Sequence, residues 1–160
     1  PRLQPAYFGL NGPYAFIALD GSPSSAPASW EEENFLKLTK TVANMGLTPA
    51  LVGESAEGPL AQSIQTKERR AVNLVNRTET AQLATLSETA QFAVGANNAG
   101  LTVAALRGRP GIVLQVATSE TVADEKPVGA PYISFYSPRL NDIAADMVCR
   151  MVISSSLTNP

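Results

Sequence analysis

The stretch from Leu83 to Pro110, Leu-Ala-Thr-Leu-Ser-Glu-Thr-Ala-Gln-Phe-Ala-Val-Gly-Ala-Asn-Asn-Ala-Gly-Leu-Thr-Val-Ala-Ala-Leu-Arg-Gly-Arg-Pro, constrains the fold more than any other part of this chain. Its periodicity changes from helical to strand-like and back within 28 residues. Leu83 and Leu86 face inward from a helix capped by Thr78 or Thr80. Phe92-Ala93-Val94 is a buried strand, and Asn98 to Arg107 a second helix ended by Gly108. Between them the turn Gly95-Ala96-Asn97-Asn98-Ala99-Gly100 presents backbone N–H groups at a helix start, a place that attracts phosphate. No acidic, basic or histidine side chain stands in that turn. The backbone suits a ligand site, and its side chains bring little charge to it.

The same alternation runs through the rest of the chain. Pro1 to Pro13 are rich in proline and glycine and read as a linker or an arm lying against a domain that occupies residues 14–156. Ala15 to Leu19 is a buried-type strand closed by Asp20-Gly21, and Ser22 to Pro27 is a loop by composition. Ser29-Trp30-Glu31-Glu32 has the form of a capping box, with Ser29 and Glu32 as its reciprocal partners. Phe35, Leu38, Val42 and Met45 then recur at helical spacing, and Gly46 is the expected stop. Pro49 to Gly53 predicts a second strand, Pro59 to Arg70 a polar helix, and Val72 to Val75 a third strand. Gly111 to Val116 and Tyr132 to Tyr136 are the fifth and sixth strands. In the last helix Leu140, Ile143, Ala144, Met147, Val148, Met151 and Val152 form the predicted core stripe, with Cys149 off its centre.

Short apolar strands alternating with amphipathic helices imply an α/β fold: a doubly wound, mostly parallel sheet with helices on both faces. Its ligand crevice lies beyond the carboxyl ends of the strands. Three predicted turns fall there: Asp20 to Ser25, Gly53 to Glu57, and Gly95 to Gly100. Asp20 is either a crevice carboxylate or an Asp-Gly turn residue. Ser22, Ser24 and Ser25 are phosphate donors or plain loop residues. Asn97 and Asn98 either contact ligand or supply the left-handed backbone that such turns require. Trp30 is expected to pack its helix onto the sheet.

Composition removes several function classes. At 160 residues, 44% hydrophobic and 16% charged, the chain suits one domain with its own core. A net charge of −2 gives no basic surplus for nucleic acid, and Lys67-Glu68-Arg69-Arg70 reads as a solvated helix end. No apolar run approaches the ~20 residues of a membrane span. With no histidine and only Cys149, neither a histidine-dependent nucleophile nor a cysteine–histidine metal set can be assembled, and no paired carboxylates imply a metal. A lone thiol on a late helix is most simply inert. An opening Pro1 in place of methionine points to processing or to excision from a longer protein.

The order of elements and several motifs resemble the C-terminal domain of the ADP-heptose:lipopolysaccharide heptosyltransferase family (glycosyltransferase family 9), which has the two-domain GT-B fold. The family's Gly/Ser loop and Lys-x-Trp helix start are similar to Asp20-Gly21-Ser22 and Ala28-Ser29-Trp30. A strand ending in Gly with a Glu soon after is similar to Val52-Gly53 followed by Glu57. The family's N-L-x-G-K-T segment and Leu-Ala-x-Leu helix resemble Asn73 to Thr78 and Leu83 to Leu86. Its hallmark V-G-N-D-S-G-x-x-H-L-A-A-A-x-G-x-P falls without gaps on Val94 to Pro110. The departures fall on charged positions. Asn97 stands for the hallmark Asp, Asn98 for Ser, Ala99 for Gly, Thr102 for His, and Ala28 for the Lys before the Trp.

The resemblance implies a Rossmann-like half of a GT-B enzyme that holds a nucleotide-diphosphate sugar, ADP-linked by preference. It implies binding through Ser22, Glu57, Asn97, Asn98, Gly100 and Thr118, with Glu57 toward a nucleobase or ribose. No metal, cofactor or catalytic residue is implied within this chain. The acceptor and general base come from an N-terminal domain missing from it, so the isolated chain is expected to be inactive. The implied setting is bacterial lipopolysaccharide biosynthesis in the cytoplasm, with room for peripheral contact with the inner membrane and none for nucleic acid. A charged hydrogen bond contributes roughly 1.5–3 kcal/mol, so losing several erodes both affinity and rate. That erosion supports a rival reading: a degenerate, non-catalytic domain with a structural or protein-interaction role. A dehydrogenase or kinase lacks its G-x-G-x-x-G or G-x-x-x-x-G-K-[ST] signature here.

Overall fold

The computed structural model describes residues 4–19, 30–53, 55–96, 104, 109–116, 132–137 and 143–154. Within them six strands form one sheet: β1 (Tyr14–Ala18), β2 (Thr48–Val52), β3 (Val72–Asn73), β4 (Ala93–Ala96), β5 (Gly111–Val116) and β6 (Tyr132–Ser137). Their spatial order is β3-β2-β1-β4-β5-β6, and every pairing is parallel. The sheet is therefore doubly wound, with its change of direction between β1 and β4.

The central strand β1 forms where a short apolar run is buried on both faces. Along β1 and the residue after it, Ala15, Ile17 and Leu19 join one core cluster, while Tyr14, Phe16 and Ala18 join the other. That two-residue alternation with burial on both sides is what helix-covered parallel sheets require. The helices α1 (Glu32–Asn44), α2 (Gly58–Lys67) and α4 (Ala145–Ser154) contribute to the first cluster. From the opposite side α3 (Thr80–Ser87) contributes Leu83 and Leu86.

The N-terminal segment does more than lie loosely beside the sheet. Pro5–Phe8 is a single 3-10 turn, and Phe8 and Leu10 are buried in the second cluster with Tyr14 and Leu74. Tyr14 also donates its hydroxyl to the Leu86 carbonyl, joining the start of β1 to α3.

Helix α1 buries Phe35, Leu38, Thr39, Val42 and Ala43 and stops at Gly46, as its spacing predicts. Its start differs from expectation. The N-cap is Glu31, Glu32 is the first helical residue, and Ser29 lies outside the described residues. The Glu32 carboxylate instead accepts from Ser63 Oγ at 2.8 Å and Lys67 Nζ at 2.5 Å, fastening α1 to α2. Likewise α3 is capped by Glu79 rather than by Thr78 or Thr80. The Glu79 N–H donates to Gln82 Oε1 at 2.8 Å, while Thr78 turns its hydroxyl to the Leu74 carbonyl.

The last helix is rotated relative to its predicted stripe. Ile143, Ala145, Val148, Cys149 and Val152 are buried, whereas Ala144 is exposed and Met147 is 51% exposed. Packing against α1 decides this. Lys37 of α1 pairs with Asp146, and Thr41 hydrogen-bonds the Cys149 thiol, which burial pushes upward in pKa. A buried, protonated thiol is a poor nucleophile. The predicted Leu140 and the helix from Asn98 to Arg107, apart from buried Ala104, lie outside the described residues.

Trp30 links these layers. It is 1% exposed, meets Phe35 edge-on with ring centroids 5.0 Å apart, and donates Nε1–H to the Ile143 carbonyl at 3.0 Å. We expect Trp30→Phe to keep most of the packing but orphan that carbonyl. Urea denaturation should then read a loss of about 1–3 kcal/mol.

Three carboxylates sit below the usual range, each held there first by a hydrogen bond from a cation: Glu32 from Lys67, Glu68 from Arg70, and Asp146 from Lys37. A depressed carboxyl pKa means that the folded chain binds fewer protons than the unfolded one. The resulting stability is present above the ordinary carboxylate range and lost as pH falls through the folded values. The thermal midpoint should drop between about pH 5 and pH 3. In Lys67→Met the drop should be shallower, as followed by circular dichroism.

Candidate functional site

The strand order reverses between β1 and β4, the place where doubly wound sheets carry their ligand crevice, and two small residues meet there. Ala18 ends β1 and is in register with Gly95 of β4, which is in turn in register with Val113 of β5. Gly95 is therefore a strand residue rather than the first residue of a turn, and β4 runs two residues past the predicted Val94. Its φ of +132° is one that a side chain rarely tolerates. A Cβ built on it would lie 2.3 Å from the Ala18 carbonyl oxygen. Only glycine lets the two backbones approach this closely.

The neighbouring wall comes from β2. The Leu19 N–H donates to the Val52 carbonyl at 3.0 Å, carrying the β1–β2 ladder one step beyond β1. Gly53 follows, and a single 3-10 turn, Ser55–Glu57, leads into α2 at Gly58-Pro59. Glu57 is 6% exposed, and its side chain lies on Gly53, where an added Cβ would be 3.1 Å from its own Cβ. Glu57 is thus a buried carboxyl group in the turn between β2 and α2.

Beyond β3 the chain turns at Asn76, a non-glycine residue in the left-handed region with φ 65°. A Cβ on Gly58 would lie 3.5 Å from Asn76 Nδ2, so this turn abuts the start of α2 beside Glu57. Arg77 follows, exposed, and donates to the Asn73 carbonyl at 3.2 Å. Sequence reasoning did not single out Asn76 as part of this rim. Its signal was the Asn at the end of a strand, a residue type that accepts left-handed backbone.

Of the six predicted binding residues, the structure describes Glu57 alone, in the 3-10 turn between β2 and α2. Ser22, Asn97, Asn98, Gly100 and Thr118 lie outside the described residues, as do Asp20, Ser24 and Ser25. Among the described residues no three His, Cys, Asp or Glu side chains are grouped to hold a metal ion, and no helix is long and apolar enough to cross a membrane.

No family model matches the chain, and no curated protein sequence matches it. Solved structures do. Over 96% of its length the chain is similar to a glycosyltransferase of family 9 from Veillonella parvula DSM 2008, with a TM-score of 0.74 and 14% identity, covering 48% of that protein. It is similar over 96% of its length to ADP-heptose lipopolysaccharide heptosyltransferase II of E. coli, with a TM-score of 0.72 and 22% identity, covering 49% of that chain. A third match is the E. coli heptosyltransferase WaaC, solved with ADP: TM-score 0.70, 16% identity, 88% of this chain and 44% of that one. The chain thus has the Rossmann-like α/β fold found in these glycosyltransferases, and it spans about half the length of the structures it matches.

Gly95→Ala tests the floor of the crevice. The new methyl must push β4 from β1, and the expected cost is about 3 kcal/mol or more, read as a lower urea midpoint. An alanine at exposed Gly12, where no atom lies within 4 Å of the added carbon, should cost less despite its φ of +120°.

Proposed function

We propose that this chain is the nucleotide-sugar-binding half of a heptosyltransferase-like GT-B glycosyltransferase. One observation carries the reading. Ala18 meets Gly95 at the switch point of a fold shared with glycosyltransferases, and one of those was solved with ADP. Crevices at such switch points receive nucleotides because strand ends and helix starts present unpaired backbone groups there.

In this reading the diphosphate is received by backbone amides around Asn97, Asn98 and Gly100, with Ser22 and Thr118 as hydroxyl donors. A carboxylate repels phosphate and accepts from hydroxyl or amino groups. Glu57 accordingly takes the ribose or base end of the ligand. The sugar passes from the nucleotide diphosphate to a saccharide or lipid-linked acceptor in lipopolysaccharide assembly. A companion domain supplies the acceptor site and the general base, so this half alone binds without catalysing. Its working place is the cytoplasm, in peripheral contact with the inner membrane.

A second reading has its own support: Asn97, Thr102 and Ala28 stand where the resembling family has Asp, His and Lys. Such a chain would be a non-catalytic domain kept for folding or for contact with a partner.

Isothermal titration with ADP, UDP and GDP separates the two. The first reading expects micromolar binding of ADP, about −8 kcal/mol at 1 μM, abolished in Asn97→Arg. Glu57→Gln should weaken it roughly tenfold, the loss of about 1.4 kcal/mol from a charged acceptor. No detectable heat at millimolar nucleotide selects the non-catalytic domain.

A further inference from the structure

We draw no further inference here: the strongest candidate, the shallow groove on α4 lined by Ala144, Asp146, Met147, Arg150 and Met151, is a surface patch for which nothing in the structure shows what covers it.

Discussion

The crevice depends on how near β4 lies to β1 at Gly95. Two strands that meet where a sheet reverses direction belong to different winding halves, and their helices leave to opposite sides. Keeping them paired to their last residues requires the backbones to touch, and the Ala18 carbonyl occupies the space a side chain at position 95 would need. The small Ala18 opposite serves the same end. With no side chain at 95 and only a methyl at 18, the two strand ends form a close-packed floor at the switch point.

The rest of the molecule holds that floor in place. One face of the sheet is covered by α1, α2 and α4, which are tied by polar contacts at their margins: Glu32 to Ser63 and Lys67, Lys37 to Asp146, and Trp30 to the Ile143 carbonyl. The other face is held by α3 through Leu83, Leu86 and the Tyr14 hydroxyl. Surface ion pairs of this kind add little individually. The apolar burial they frame supplies most of the stability and sets which face of each helix turns inward.

That division explains what was legible in the sequence. Strand positions emerged within one or two residues because a run such as Phe16-Ile17-Ala18 has no alternative to burial on both faces. Helix starts were less legible. Ser29 and Thr80 look like caps locally, but Glu32 finds its partners on α2 and Glu79 finds Gln82. In α4 the predicted stripe is displaced: Ala144 and Met147 are exposed, while Ala145 and Cys149 are buried. Glu57 was singled out through the family resemblance, and the structure places it in the turn after β2 with its side chain against Gly53. Asn76 was not, since nothing local announces that the turn after β3 will abut α2.

We propose that nucleotide meets this protein at the strand carboxyl ends. Backbone amide shifts in a titration with ADP follow that encounter residue by residue. The largest changes should fall on Leu19, Gly53, Glu57 and Ala96, with Tyr14, Thr48 and Gly111 at the opposite ends unmoved. Changes centred on those amino-terminal residues, or none at saturating nucleotide, would contradict it.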